Sequence, residues 1–194
     1  MTVATIPQQT VPRTRPRAQQ ITGEELLAMG DVGPCELIDG RIVRMNPTGL
    51  QHGNIEIALG SALRDFVRKR QLGRVVGGEV GIYTRRNPDR VRGADIAFVS
   101  QERLAEKSPK GFLKVAPELV VEIMSPSDRW QDVRQKLDEY FAIGVQRVWI
   151  VEPDNLTVLV CLSSTEMRKL GEADLLIGEG VLDGFSLPVA ELFE

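Results

Sequence analysis

The sequence predicts a single α/β domain, more narrowly an α+β fold with helices on a mixed sheet. Three observations predict it: an Asp-Gly pair between two apolar runs, one long stretch of helical period, and several short apolar runs separated by turn residues and one further helix. A length of 194 residues suits one domain with a real core.

Thr22-Gly23-Glu24-Glu25 has the capping-box pattern, so a short helix begins there and stops near Gly30. Cys35 to Ile38 and Arg41 to Met45 flank Asp39-Gly40, which reads as a hairpin. From about Gln51 to Arg70, Ile55, Leu59, Ala62, Leu63, Phe66 and Val67 recur at helical spacing. Val75 to Thr84 and Ala94 to Val99 are strands around the turn Asn87-Pro88-Asp89. Gln101 to Lys114 is a polar stretch, and Glu118 to Met124 a buried strand. Ser125-Pro126-Ser127-Asp128 ends that strand and offers helix caps for a helix over 130–142. Arg147 to Val151 and Leu156 to Leu162 are the last strands, and an acidic remainder follows from Glu166. Residues 1–20, with Arg13, Arg15 and Arg17 among Pro, Thr and Gln, are expected to be a flexible leader to one domain over 21–194.

Composition narrows the chemistry. No apolar run approaches the roughly 20 residues of a membrane helix, so no membrane partner is expected. One histidine and two distant cysteines, Cys35 and Cys161, disfavour a zinc site and suit a reduced, cytoplasmic setting. A metal held by this chain would be a hard cation on carboxylate oxygens, Mg²⁺ or Mn²⁺. Net charge is −3, yet nine basic residues stand against three acidic ones between Arg64 and Arg92, a local excess of +6. That excess fits one basic face toward phosphate, or equally a solvated helix face and an Arg-rich hairpin tip.

Two acids sit in apolar strands, Asp95 and Glu122, where an unpaired carboxylate is costly. With a period of two, both can share one face and converge on one cation. Lys136 and Tyr140 share a face of the next helix. Bland readings stand beside these: a strand-end Asp95, an ion-paired Glu122, a solvated Lys136, a packed or capping His52, a surface Glu79 and a core Tyr140.

The order helix, three strands, helix, strand, with Asp on the second strand and Glu on the third, resembles the core of the PD-(D/E)XK nucleases. The match is closer to their restriction-endonuclease-like family long carried as a domain of unknown function. The residues that carry it are Cys35 to Gly40, His52, Gly78-Glu79-Val80, the Asp95 strand, Glu122 to Ser127, Lys136 to Tyr140, and Gly144-Val145 through Trp149 to Val151.

The resemblance implies a nuclease core flanked by an N-terminal helix and hairpin, acting as a Mg²⁺- or Mn²⁺-dependent DNA endonuclease. Asp95, Glu122 and the Ile123 carbonyl would bind the metal; Lys136, Glu79 and His52 would join the catalytic set, with His52 and Glu36 as outer candidates. A homodimer is compatible with cutting both strands. Ala94 replaces the family's proline, and Met124 replaces the lysine of the E-x-K pattern, a role then falling to Lys136. Met124 also motivates an alternative, a non-catalytic nucleic-acid-binding or interaction module on a degenerate core. A metal hydrolase of small phosphoesters is a third reading.

Overall fold

The computed structural model describes residues 20–105, 111–126 and 128–194. The expected leader lies, up to residue 19, outside the described residues, as does Ser127. Among the described residues no helix is long and apolar enough to cross a membrane.

Thr22 caps α1 (Gly23–Ala28) with both halves of the capping box made. β1 (Cys35–Ile38) and β2 (Arg41–Arg44) pair through Asp39 and Gly40, both at positive φ, 53° and 74°, as a two-residue hairpin turn requires. α2 (Leu50–Arg70) buries His52, Ile55, Leu59, Leu63 and Val67 along one stripe. β3 (Gly73–Arg85) and β4 (Arg90–Ser100) form one long hairpin, each longer than their apolar runs predict. α3 (Gln101–Ala105) is a short helix within the polar stretch, where none is expected. β5 (Leu119–Ile123) and β6 (Arg147–Glu152) flank α4 (Trp130–Ala142), and β7 (Thr157–Cys161) follows. Arg129, not a side chain of the Ser125–Asp128 turn, occupies the α4 N-cap and makes no side-chain cap bond. Asp128 instead closes its own turn, accepting from Ser125 N–H at 2.8 Å.

The main sheet runs β2-β1-β4-β5-β6-β7-β8, where β8 is Met167–Leu170, with β3 paired on the other edge of β4. Among the named strand pairs of the described residues, only β5–β6 is parallel, as the α4 crossover demands. β5 is buried on both faces. Leu119, Val121 and Ile123 join the α2 side, and Val120 joins Val133, Leu137 and Tyr140 of α4. β4 shares its second edge: β1 pairs it at Val91 and β5 at Ile96 to Phe98. Residues 92–95 lie in the gap between those partners.

The acidic remainder is more structured than its sequence suggests. β8 (Met167–Leu170) extends the sheet, and β9 (Leu175–Ile177) with β10 (Ser186–Pro188) forms a separate ribbon. Leu176, Leu182, Phe185, Val189 and Leu192 complete the α2-side core, with Phe185 against Phe66 and Trp149. These apolar residues are scattered among glycines and acids, so no period marks them. Leu192→Ala is expected to cost about 2–3 kcal/mol, read as a lower urea midpoint with unchanged slope.

Candidate metal and phosphodiester site

The gap in β4 pairing is where the acids meet. Continuing the β4–β5 register would set Asp95 opposite Glu122, but the ladder stops at Ile96–Val121. The Asp95 side chain takes over, its Oδ2 accepting from Ile123 N–H at 2.6 Å. Its Oδ1 lies 3.3 Å from His52 Nε2. In the same gap, Gly93 N–H donates to Glu36 at 3.1 Å and Gly93 C=O accepts from Lys136 Nζ at 3.3 Å. Lys136 also donates to Glu122 Oε2 at 2.7 Å, and Tyr140 O–H donates to Glu122 Oε1 at 2.6 Å. Periodicity therefore put Lys136 and Tyr140 on the correct face of α4, pointing at Glu122.

Glu79 reaches the group by a backbone irregularity. The β3–β4 register shifts between Gly77 and Val80, and Gly78 and Glu79 carry φ of 78° and 58°. A non-glycine residue in the left-handed region stores strain, and here the bulge turns the carboxylate inward. A Cβ at position 93 would stand 2.6 Å from Glu79 Oε2, so only glycine admits it there. Glu56 is a neighbour the sequence reading missed. It accepts from Gly78 N–H at 2.8 Å and steadies the bulge. His52, Glu56 and Asp95 present one donor atom each within 4.8 Å of one another. The available signal was spacing, since Glu56 follows His52 by four on α2.

These side chains line a cleft of about 600 Å³. One wall is the β2–α2 connection from Arg44 to His52, and the other is Ile123 to Pro126, Asp128, Pro153 and Asp154. Burial first, then the charge of Asp95, pushes the Glu122 and Glu79 carboxyls up to about 7, against the pull of Lys136. The hydrogen bond to Asp95 raises His52 above the usual histidine range. Burial works against the Lys136 ammonium, but Glu122 and Glu36 hold its proton more tightly than in a free lysine.

This surplus of acid over base, around one imidazole and a strand-end backbone, suits a hard divalent cation. Without a cation, both carboxyls bind protons in the fold between about 4.5 and 7 that the unfolded chain does not. Stability must then fall as pH rises through that window. His52, raised likewise, adds a loss of the same sign above its unfolded value. The urea midpoint in EDTA is expected to be higher at pH 5.5 than at pH 8, with Glu79→Gln shrinking the difference.

The Arg64–Arg92 excess does not form one face at this cleft. Arg85, Arg86, Arg90 and Arg92 pair with Asp39, Glu24, Asp89, Glu139 and Glu36. Arg64 to Arg70 sit in the last two turns of α2, roughly 18–27 Å along the helix from His52 at 1.5 Å per residue.

A family model described as "Uma2: Putative restriction endonuclease" matches residues 24–190. No curated protein matches. A crystal structure of a putative nuclease belonging to DUF820 from Anabaena variabilis ATCC 29413 superimposes with a TM-score of 0.75 at 23% identity. The match covers 89% of this chain and 97% of that one, so the two share a fold.

Proposed function

The chain belongs to the Uma2 putative restriction endonuclease family, and from that premise we propose that it is a Mg²⁺- or Mn²⁺-dependent endonuclease hydrolysing DNA phosphodiester bonds. The observation that carries the reading is the convergence of Asp95, Glu122 and Glu79 around Lys136 in one cleft.

Asp95, Glu122 and the Ile123 carbonyl would hold the cation, with His52 and Glu56 beside Asp95. A divalent cation there offsets the mutual repulsion of the acids and draws charge from a phosphodiester. The chain's own groups do the rest. Ile123 N–H and His52 aim Asp95, and Tyr140 aims Glu122. The Lys136 ammonium offers hydrogen bonds to the phosphate oxygens as their charge grows. Glu79, turned into the cleft by the bulge, is placed to accept a proton from an attacking water. Lys136 thus stands in for the lysine that Met124 lacks. A homodimer would supply the two sites needed to cut both strands.

Purified protein with Mg²⁺ or Mn²⁺ is expected to nick supercoiled plasmid, EDTA to stop it, and Asp95→Asn to abolish it. Cleavage by Asp95→Asn equal to wild type would overturn the assignment. Salt-sensitive DNA binding without cleavage would favour a binding module instead.

A further inference from the structure

Both oxygens of Glu122 are already engaged, Oε2 by Lys136 at 2.7 Å and Oε1 by Tyr140 at 2.6 Å. Each oxygen keeps a second lone pair for a cation, but a cation on Oε2 would stand beside the Lys136 ammonium, and like charges that close repel. Tyr140 is wholly buried in the α4-side core and cannot swing away without opening it. Lys136 keeps 21% of its side chain exposed and carries its charge on a flexible four-carbon stem. Lys136 is therefore the donor that yields.

A second acceptor is ready for it. Glu36 Oε1 lies 3.5 Å from Lys136 Nζ, and the Gly93 carbonyl lies 3.3 Å away. Glu36 is itself immobile, only 6% exposed. Gly93 N–H donates to its Oε1 at 3.1 Å, and an Arg92 guanidinium nitrogen donates to its Oε2 at 2.8 Å. Arg92 is locked in turn by two bonds to Glu139, at 2.7 and 2.8 Å.

We propose that Glu36 is a positioning residue that receives the Lys136 ammonium when Glu122 takes up the cation, so that Lys136 stays charged over the cleft while Glu122 is freed. This rests on the metal-site reading above. Without Glu36, the one other acceptor in contact with the ammonium among the described residues is the neutral Gly93 carbonyl, so no second carboxylate in contact receives it when the cation approaches Glu122.

The test is a double-mutant cycle on Mn²⁺ affinity, measured by isothermal titration calorimetry on wild type, Glu36→Gln, Lys136→Met and the double variant. Glu36→Gln is expected to weaken Mn²⁺ binding about tenfold beside Lys136 and by less than about twofold beside Met. Glutamine keeps an acceptor for Gly93 N–H, and circular dichroism checks the fold. Should Glu36→Gln fail to fold, Glu36→Asp replaces it in the same cycle, because it keeps the charge but withdraws it by one methylene. In kinetics, the Mn²⁺ concentration for half-maximal cleavage is expected to rise while KM for DNA stays unchanged, a split that general loosening would not produce.

A loss of equal size in both backgrounds would mean that Glu36 acts only through its field, and would overturn the hand-over while leaving the metal site standing. Absence of Mn²⁺ binding by wild type would overturn both.

Discussion

Glu122→Gln is expected to lower metal-dependent DNA cleavage by on the order of 10³-fold while leaving the protein folded. Glutamine keeps the shape and can still accept from Tyr140, but it brings no charge to a cation and none to Lys136. The fold should not suffer. Burial and Asp95 push the Glu122 carboxyl up to about 7, so at pH 8 its charge weighs against the metal-free native state. A neutral amide removes that burden, and Lys136 still has Glu36 at 3.5 Å. Melting in EDTA at pH 8 should therefore stay within about 1 kcal/mol of wild type, roughly 2–4 °C for a chain of this size. Calorimetry should show Mn²⁺ binding lost and cleavage lost with it. A variant that still cleaves at the wild-type rate would remove Glu122 from the site.

Arg92→Ala is expected to destabilise the protein by about 3–5 kcal/mol. Arg92 is 8% exposed and stands between Glu36 and Glu139 with three hydrogen bonds of 2.7–2.8 Å. Burial opposes its charge, but Glu139 and Glu36 together hold the guanidinium well above its ordinary range. Removing it takes a shared guanidinium from two carboxylates, Glu36 and Glu139. Arg90 still pairs with Glu139, whereas Glu36 Oε2 loses its guanidinium and Glu36 keeps only Oε1 engaged, by Gly93 N–H at 3.1 Å and Lys136 at 3.5 Å, among the described residues. Arg92→Lys should recover only part of the loss, because a single ammonium cannot bridge two carboxylates as a planar fork does. Urea unfolding checks both variants. If Arg92→Ala unfolds within about 1 kcal/mol of wild type, the network is surface decoration and Glu36 is not held as described.

Much of the frame was legible because its signals are local. The capping box at Thr22, the Asp39-Gly40 turn and the helical stripes of α2 and α4 each sit within a few residues of chain, and all appear as expected. The face shared by Lys136 and Tyr140 follows from the helical repeat alone. Other features depend on contacts that no window contains. The Arg64–Arg92 excess fits a single basic face or a solvated helix face with an Arg-rich hairpin tip equally well in sequence, and its later members are spent on acids as distant in sequence as Glu24 and Glu139. Glu56 escaped notice because its part depends on a bulge in another element. Among the described residues of 125–128 none takes the N-cap of α4, which Arg129 occupies, and Asp128 satisfies Ser125 instead.

The sequence by itself determined the order of helices and strands from α1 to β7 apart from α3, the acids buried within apolar strands and the lysine one helix later, because periodicity and the cost of a buried charge act residue by residue. Only the tertiary structure decided how these groups meet. It splits the second edge of β4 between β1 and β5, leaves residues 92–95 open between them, and draws Glu36, Glu79, Asp95, Glu122 and Lys136 to that opening. The reason is physical: unpaired backbone and buried charge must be satisfied across the fold, by whichever side chains the topology brings within reach.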